Sequence, residues 1–470
     1  MAETSPTVPP NRFTLEVELS RDLGLLSATS IIVGGMIGSG IFGAPAGIAQ
    51  QLGSPGLFML VWVVGGILAF CGAVCFAELG SLLPRTGGQL IYLREVYPPV
   101  IAFAYGWTES FLIQGASLSA IAYIFATYLG YFTPLISTTN ILFTMGGFSL
   151  STQHLLMMSM LAFLGVVNYF GVRFGGYIAN IFTISKVIAL LGLVAVVLFV
   201  GGDWGNFTPL FPENPDPDLI SAFGAAMIGA MFAYNGWNNA NMVAGEIKDP
   251  QKQLPRAIFI GLLVVMIVYM LINWSYLYVL SIDQIASSPR IAADVALRVM
   301  GPIGGALVSI AVMISTFGTM NNGPLAVPRI CYAMAKEKLF FQSITYVHPK
   351  YKTPSRAIVM ITGAGIAWTF LGDFQKIIDA FAWAMYTFYI LTIIALFTLR
   401  RKYPDVPRPV KAWGYPVTPI IFLVIATYYV VSVLYEKPWE SLPGLVFVAF
   451  GLVVYGIYRW TDRRAEGRTS

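Results

Sequence analysis

Apolar stretches long enough to cross a bilayer recur from one end of this chain to the other, and nothing else in the sequence restricts the fold so strongly. A spanning helix needs roughly 20 residues. Twelve such stretches stand between charged or Pro/Gly-rich loops, near 23–48, 54–82, 98–130, 152–171, 177–200, 219–244, 255–280, 302–335, 355–372, 376–400, 416–436 and 442–460. With 57% apolar and 11% charged residues, the composition excludes a soluble domain. The expected fold is an all-α polytopic membrane protein with twelve transmembrane helices in the lipid bilayer. Residues 1–22 are polar and proline-bearing, and the apolar stretch that follows is too long for a signal core, so no cleaved leader is expected.

The basic residues report orientation. With the first loop placed outside, 23 of the 28 Lys and Arg residues fall on one side of the membrane, including Arg85, Arg94, Lys248, Arg256, Arg356, Arg400, Arg408 and Lys411. Four, Arg290, Arg298, Lys376 and Lys437, fall on the other. By the positive-inside rule both termini are cytoplasmic in a multi-pass plasma (inner) membrane protein, and the charge is no nucleic-acid patch. Cys71, Cys75 and Cys331 sit in or at the ends of apolar segments, and His154 and His348 fall at opposite membrane surfaces. No disulfide framework, metal site, cofactor or catalytic pair is expected, which argues against an enzyme.

Two apolar segments carry residues that a continuous helix does not favour. The first contains Gly34-Gly35-Met36-Ile37-Gly38-Ser39-Gly40-Ile41-Phe42-Gly43. Low helix propensity at Gly38, Ser39 and Gly40 predicts a break there. Backbone freed inside a membrane is tolerated only where protein or a polar cavity receives it, so the break reads as a binding site. Small residues four apart also serve close helix packing, and this stretch alone does not separate the two readings. The second segment contains Phe232-Ala233-Tyr234-Asn235-Gly236-Trp237-Asn238-Asn239. Ser39 and Asn235 are 196 residues apart, each in the first helix of a five-helix set. A pair of breaks five helices apart, and so opposite in direction, points to an inverted repeat with the substrate at its interface. The expected units are 23–200 and 219–400, followed by 416–460 and a tail over 461–470.

Other polar residues stand inside apolar segments. Lys186 lies about nine residues into its helix, roughly 13 Å deep at 1.5 Å per residue. At that depth a lysine needs partners, and the first helix's broken backbone together with a hydroxyl on another helix would supply them; snorkelling or a carboxylate partner is the alternative. Gln114 and Ser117, one turn apart, either line a pathway or hydrogen-bond between helices. Glu78, near the cytoplasmic end of the second helix, either pairs with a loop cation to close the inner mouth or meets lipid headgroups. In the tenth helix Phe381, Trp383, Tyr386 and Tyr389 form an aromatic stripe of the kind that is usually packing. Residues 283–300 alternate in a helical period and read as a lid over the outer mouth, while helices eleven and twelve read as peripheral.

Several stretches resemble the amino acid–polyamine–organocation (APC) transporters. They are Pro84-Arg85-Thr86-Gly87-Gly88 with Tyr92-Leu93-Arg94-Glu95-Val96-Tyr97, Gly245-Glu246-Ile247-Lys248-Asp249-Pro250, and Lys402-Tyr403-Pro404-Asp405-Val406-Pro407-Arg408-Pro409. The last two are similar to the L-type amino acid transporter (LAT) branch. The resemblance implies a LeuT-type five-plus-five inverted repeat with helices one and six broken, and amino acid transport by alternating access. It implies that Ser39, Gly40 and Ile41 meet the substrate carboxylate. Carbonyls near Ile37 and at Phe232, Ala233 and Asn235 would meet the amino group, with Gly38, Tyr234, Ser117 and Tyr386 around them. Lys186, facing Ser315 and Thr316, would replace the sodium ion of coupled relatives, and Glu78, Arg85 and Glu246 are inner-gate candidates. The implied activity is sodium-independent exchange of neutral amino acids, with a proton-coupled symporter or a sensor as alternatives. Asn235 in place of glycine favours small substrates such as alanine, serine or cysteine. The loop 133–153 has no cysteine, so no disulfide-linked heavy chain is expected.

Overall fold

The computed structural model describes residues 23–85, 87–145, 148–170, 176–214, 217–351 and 353–466. The expected N-terminal segment 1–22, Arg173 and the end of the tail, 467–470, lie outside them. The first crossing is two helices, α1 (Leu25–Met36) and α2 (Gly40–Leu52). Gly53, at φ +55°, ends α2, and the Ser54 hydroxyl then accepts from the Leu57 amide at 3.4 Å to cap α3 (Pro55–Leu82), with Pro55 in the first turn. After α4 (Gln89–Val96), the third crossing runs through α5 (Pro99–Trp107), a π-helical turn over Thr108–Ile113, and α6 (Gln114–Leu129). An antiparallel hairpin, β1 (Ile141–Met145) and β2 (Phe148–Ser151), precedes α7 (Thr152–Phe170) and α8 (Gly176–Val200). The hairpin lies in the loop 133–153, where the all-helical expectation has no strand.

The sixth crossing is α9 (Leu219–Ala233), a run of turns, and α10 (Asn239–Met242). Then follow α11 (Pro250–Val279), α12 (Ile282–Ser287), α13 (Ile291–Ala326), α14 (Pro328–Lys336) and α15 (Ser355–Trp368). The chain closes with α16 (Phe374–Asp379), α17 (Ala382–Lys402), α18 (Val417–Glu436) and α19 (Pro438–Glu466). Among the described residues ten crossings are long and apolar enough to span a membrane. Leu219–Ala233 and Ser355–Leu371 are shorter apolar helices in the sixth and ninth places. The sixth is short because it stops at its break, 15 residues giving about 22 Å.

The two broken crossings lie at the centre. α2 packs on α9, α1 on α8 and α11, and α3 on α11, while α13 closes against α6 and α8. The expected lid is α12 and the start of α13, which bends at Gly301 (φ +71°). A Ser281–Gln284 capping box starts α12, which lies on α2, where Gln50 Nε2 donates to the Ala286 carbonyl at 2.6 Å. One expectation needs correction. α18 is not peripheral, because it packs on α9 and α3, and Tyr429 is fully buried.

Candidate functional site

Helix α1 gives out at Ile37 (φ −74°, ψ 87°), and α2 restarts from Ser39. The Ser39 carbonyl accepts from Phe42 and Gly43, but the amides of Ser39, Gly40 and Ile41 reach no backbone acceptor among the described residues. The Ser39 hydroxyl is buried and likewise has no partner among them. These groups form the positive end of the α2 dipole, an arrangement that suits a carboxylate.

The second break presents the opposite pole. Helix α9 stops at Ala233, the Asn235 amide donates to Phe232 O, and Gly236 takes φ +115°. The two breaks touch through glycines. A Cβ on Gly40 would lie 2.5 Å from Ala233 Cα, and one on Gly236 would lie 3.0 Å from the Gly35 carbonyl carbon. Tyr269 of α11 joins the ends of both half-helices, its hydroxyl lying 2.7 Å from Met36 O and 3.0 Å from Ala233 O. One phenolic proton serves two carbonyls. Sequence reasoning missed Tyr269, since a tyrosine in an apolar helix carries no signal of what its hydroxyl reaches.

Lys186, buried on α8, holds the free carbonyls of the first break. Its Nζ donates to Gly34 O at 2.8 Å and to Ile37 O at 2.5 Å, and lies 3.3 Å from Thr319 Oγ1. The expected hydroxyl partners are corrected here. Thr316 spends its hydroxyl on Val312 O one turn back, and Ser315 Oγ has no partner among the described residues. The helical phase of α13 presents Thr319 to the lysine instead.

A family model described as amino acid permease matches residues 23–457, nearly the whole chain. The chain belongs to the amino acid permease family. This permease is 30% identical over 451 residues to the serine/threonine exchanger SteT of Bacillus subtilis, covering 95% of this chain and 98% of that one. It is 31% identical to the human b(0,+)-type amino acid transporter 1, with 94% and 88% covered. It is 32% identical to the mouse large neutral amino acids transporter small subunit 2, with 97% and 85% covered. These relatives place the permease in the APC superfamily with LAT-type transporters. The paired central breaks are those of the LeuT-type five-plus-five fold.

The permease brings some of the other expected residues to the breaks and sends others elsewhere. Ser117 lies two turns before Ile124 on α6, the residue that Gly43 of α2 leaves room for, and so shares its face. Tyr234 is buried against Trp62 and Tyr269. Tyr386 turns toward α18, its ring 4.9 Å from that of Tyr429. It is Tyr389, one turn on, whose hydroxyl donates to Asn235 Oδ1 at 2.9 Å and lies 3.3 Å from Asn238 Oδ1. Gln114 donates within its own crossing and not to another helix. The π-helical turn stacks it over Glu109 five residues back, and Gln114 Nε2 donates to Glu109 Oε1 at 2.7 Å.

At the basic end of the bundle, Glu78 is fully buried, which removes the headgroup reading. Arg400 of α17 grips it with two bonds, Nε to Oε1 at 2.9 Å and Nη2 to Oε2 at 2.5 Å. Arg408 Nε stands 3.3 Å from Oε1, and the Ala412 amide donates to Oε2 at 2.6 Å. Arg85 pairs with Glu337 at the end of α14, 3.3 Å away, a partner that sequence reasoning did not name. The Glu246 carbonyl accepts from the Leu23 amide at 3.0 Å.

Proposed function

We propose that this chain exchanges small neutral L-amino acids across the plasma (inner) membrane, independently of sodium, by alternating access. The observation that carries the reading is the pairing of opposite backbone poles at one place, with free amides at Ser39, Gly40 and Ile41 beside the carbonyl end of α9. A zwitterion matches both poles at once, carboxylate to the first and ammonium to the second. In this reading Ile37, Gly38, Ser39, Gly40 and Ile41 hold one end of the substrate and Phe232, Ala233, Tyr234 and Asn235 the other. Ser117 borders the side-chain space, and Tyr386 acts through Tyr389. Residues 23–200 and 219–400 are the two repeats.

Lys186 supports sodium independence because its ammonium already neutralises the carbonyls of Gly34 and Ile37, where a bound cation would otherwise sit. Asn235, held by Tyr389, takes volume from the side-chain end and favours alanine, serine or cysteine over leucine; the name of the Bacillus subtilis relative, a serine/threonine exchanger, supports serine among them. Glu78 with Arg400 and Arg408, and Arg85 with Glu337, close the inner mouth, with both termini cytoplasmic. The cysteines at 71, 75 and 331 are all buried, so the reading needs no covalently linked heavy chain.

Counterflow in proteoliposomes tests this function. Unlabelled alanine or serine inside should accelerate labelled uptake equally with and without sodium. A strict sodium requirement, or no acceleration, would overturn it.

A further inference from the structure

On the outer surface of the bundle, an apolar cavity of about 160 Å³ opens between α3, α11 and the loop that joins α17 to α18. Phe70, Ala73 and Val74 of α3 line it together with Phe259 of α11, whose ring meets that of Phe70 edge to face at 6.1 Å, and Lys411 and Trp413 form the rim at the basic end. Phe259 and Trp413 are 52% and 74% exposed. The wall lies in crossings apolar enough to span the membrane, about 8 to 18 Å from the end of α3, so the medium at its mouth is lipid. A cavity of this size takes a ring or the end of an acyl chain. Lys411 is the one charged residue in the lining, and exposed Arg256 follows the lining residue Pro255.

From this geometry we infer that the cavity is a binding site for an anionic phospholipid, with the end of an acyl chain lying against the touching rings of Phe70 and Phe259 and the phosphate against Lys411. Charge selects the headgroup, because a basic side chain at the surface attracts anionic lipid while Trp413 sits at the headgroup level. The site has a mechanical connection inward. Lys411 and Trp413 flank Ala412, whose amide donates to buried Glu78, and Val74 is one turn before Glu78 on α3. A lipid seated here holds residues 410–413 against α3 and so favours the closed pairing of Glu78 with Arg400 and Arg408. This second step rests on the proposed inner-gate role of Glu78; the site itself does not.

The test uses the full-length protein. Purified wild type, Lys411→Ala and Val74→Trp are equilibrated with equal phosphatidylglycerol and phosphatidylcholine, and retained lipid is counted by native mass spectrometry. Wild type should retain phosphatidylglycerol with about fivefold preference, the ratio expected for one surface cation. Lys411→Ala should lose the preference, and Val74→Trp, which fills the cavity, should lose the lipid. Equal retention in all three proteins overturns the site. Exchange rates in phosphatidylcholine vesicles titrated with phosphatidylglycerol read the second step. They should respond in wild type and not in Val74→Trp, whose basal exchange shows that it folds. Selective retention with identical rate responses overturns the connection to Glu78 and leaves the site standing.

Discussion

The ammonium of Lys186 donates to the carbonyl of Ile37 at 2.5 Å, at the residue where α1 stops being a helix. A carbonyl that would have bonded within the helix is thus satisfied from another crossing, and the break is held open. Replacing Lys186 with alanine should lower counterflow on the order of tenfold or more. Stability should change less, because the lost bonds to Gly34 and Ile37 are offset by no longer burying a charge. Melting curves beside transport separate the two, and full turnover in the variant would remove the role assigned to Lys186. Thr319→Val should be milder, since it removes the 3.3 Å contact and the bond from its hydroxyl to Ser315 O but leaves both carbonyl bonds of Lys186 in place, whereas Thr316→Val should leave transport unchanged.

Tyr269→Phe deletes the hydroxyl that Met36 O and Ala233 O share. A buried carbonyl left without a donor costs about 1–3 kcal/mol, so the thermal midpoint should fall. Apparent substrate affinity should fall with it, because both half-helix ends lose their tether. An unchanged midpoint would show that water replaces the phenol.

Glycine substitutions should divide sharply. Gly40→Ala places a methyl 2.5 Å from Ala233 Cα, and Gly236→Ala adds a strained φ of +115° to a close backbone contact. Overpacking of this kind costs about 1–3 kcal/mol and here falls on the groups proposed to meet the substrate. Both variants should lose transport. Gly192→Ala, with nothing within 4 Å, should behave as wild type.

Glu78→Gln removes the charge that Arg400 and Arg408 face. Breaking one side of a buried pair typically costs about 3–5 kcal/mol. A double-mutant cycle with Arg400→Gln should recover part of that loss, because Glu78 and Arg400 make two direct bonds. Strict additivity would mean that the pairing contributes nothing.

Asn235→Gly should widen selectivity. It empties the space that Asn235 fills opposite Tyr389, so leucine should compete better against labelled alanine than it does in wild type. Competition uptake reads this directly, and an unchanged ranking would move the specificity determinant elsewhere.

The breaks were legible because glycine and asparagine in apolar segments have few other uses, and the depth of Lys186 called for partners that the structure supplies. Its hydroxyl partner was not legible. Ser315, Thr316 and Thr319 are chemically alike, and only the rotation of α13 and the back-bonding of Thr316 decide among them. Nor was the π-helical turn at Thr108–Ile113 legible, since one extra residue in a turn leaves no composition signal yet moves Gln114 over Glu109. Tyr389 displaced Tyr386 beside Asn235 for a similar reason: both lie on one aromatic stripe, and the packing of α18 claims the first.

At the contacts of Gly40 with Ala233 and of Gly236 with Gly35 the two broken crossings approach backbone to backbone. Backbones pressed together in this way cannot slide past one another without collision, and Tyr269 ties their ends to a third helix. In the proposed alternating-access cycle the glycine contacts and the Tyr269 tether would couple the two crossings at their breaks, so a displacement of one would be felt by the other.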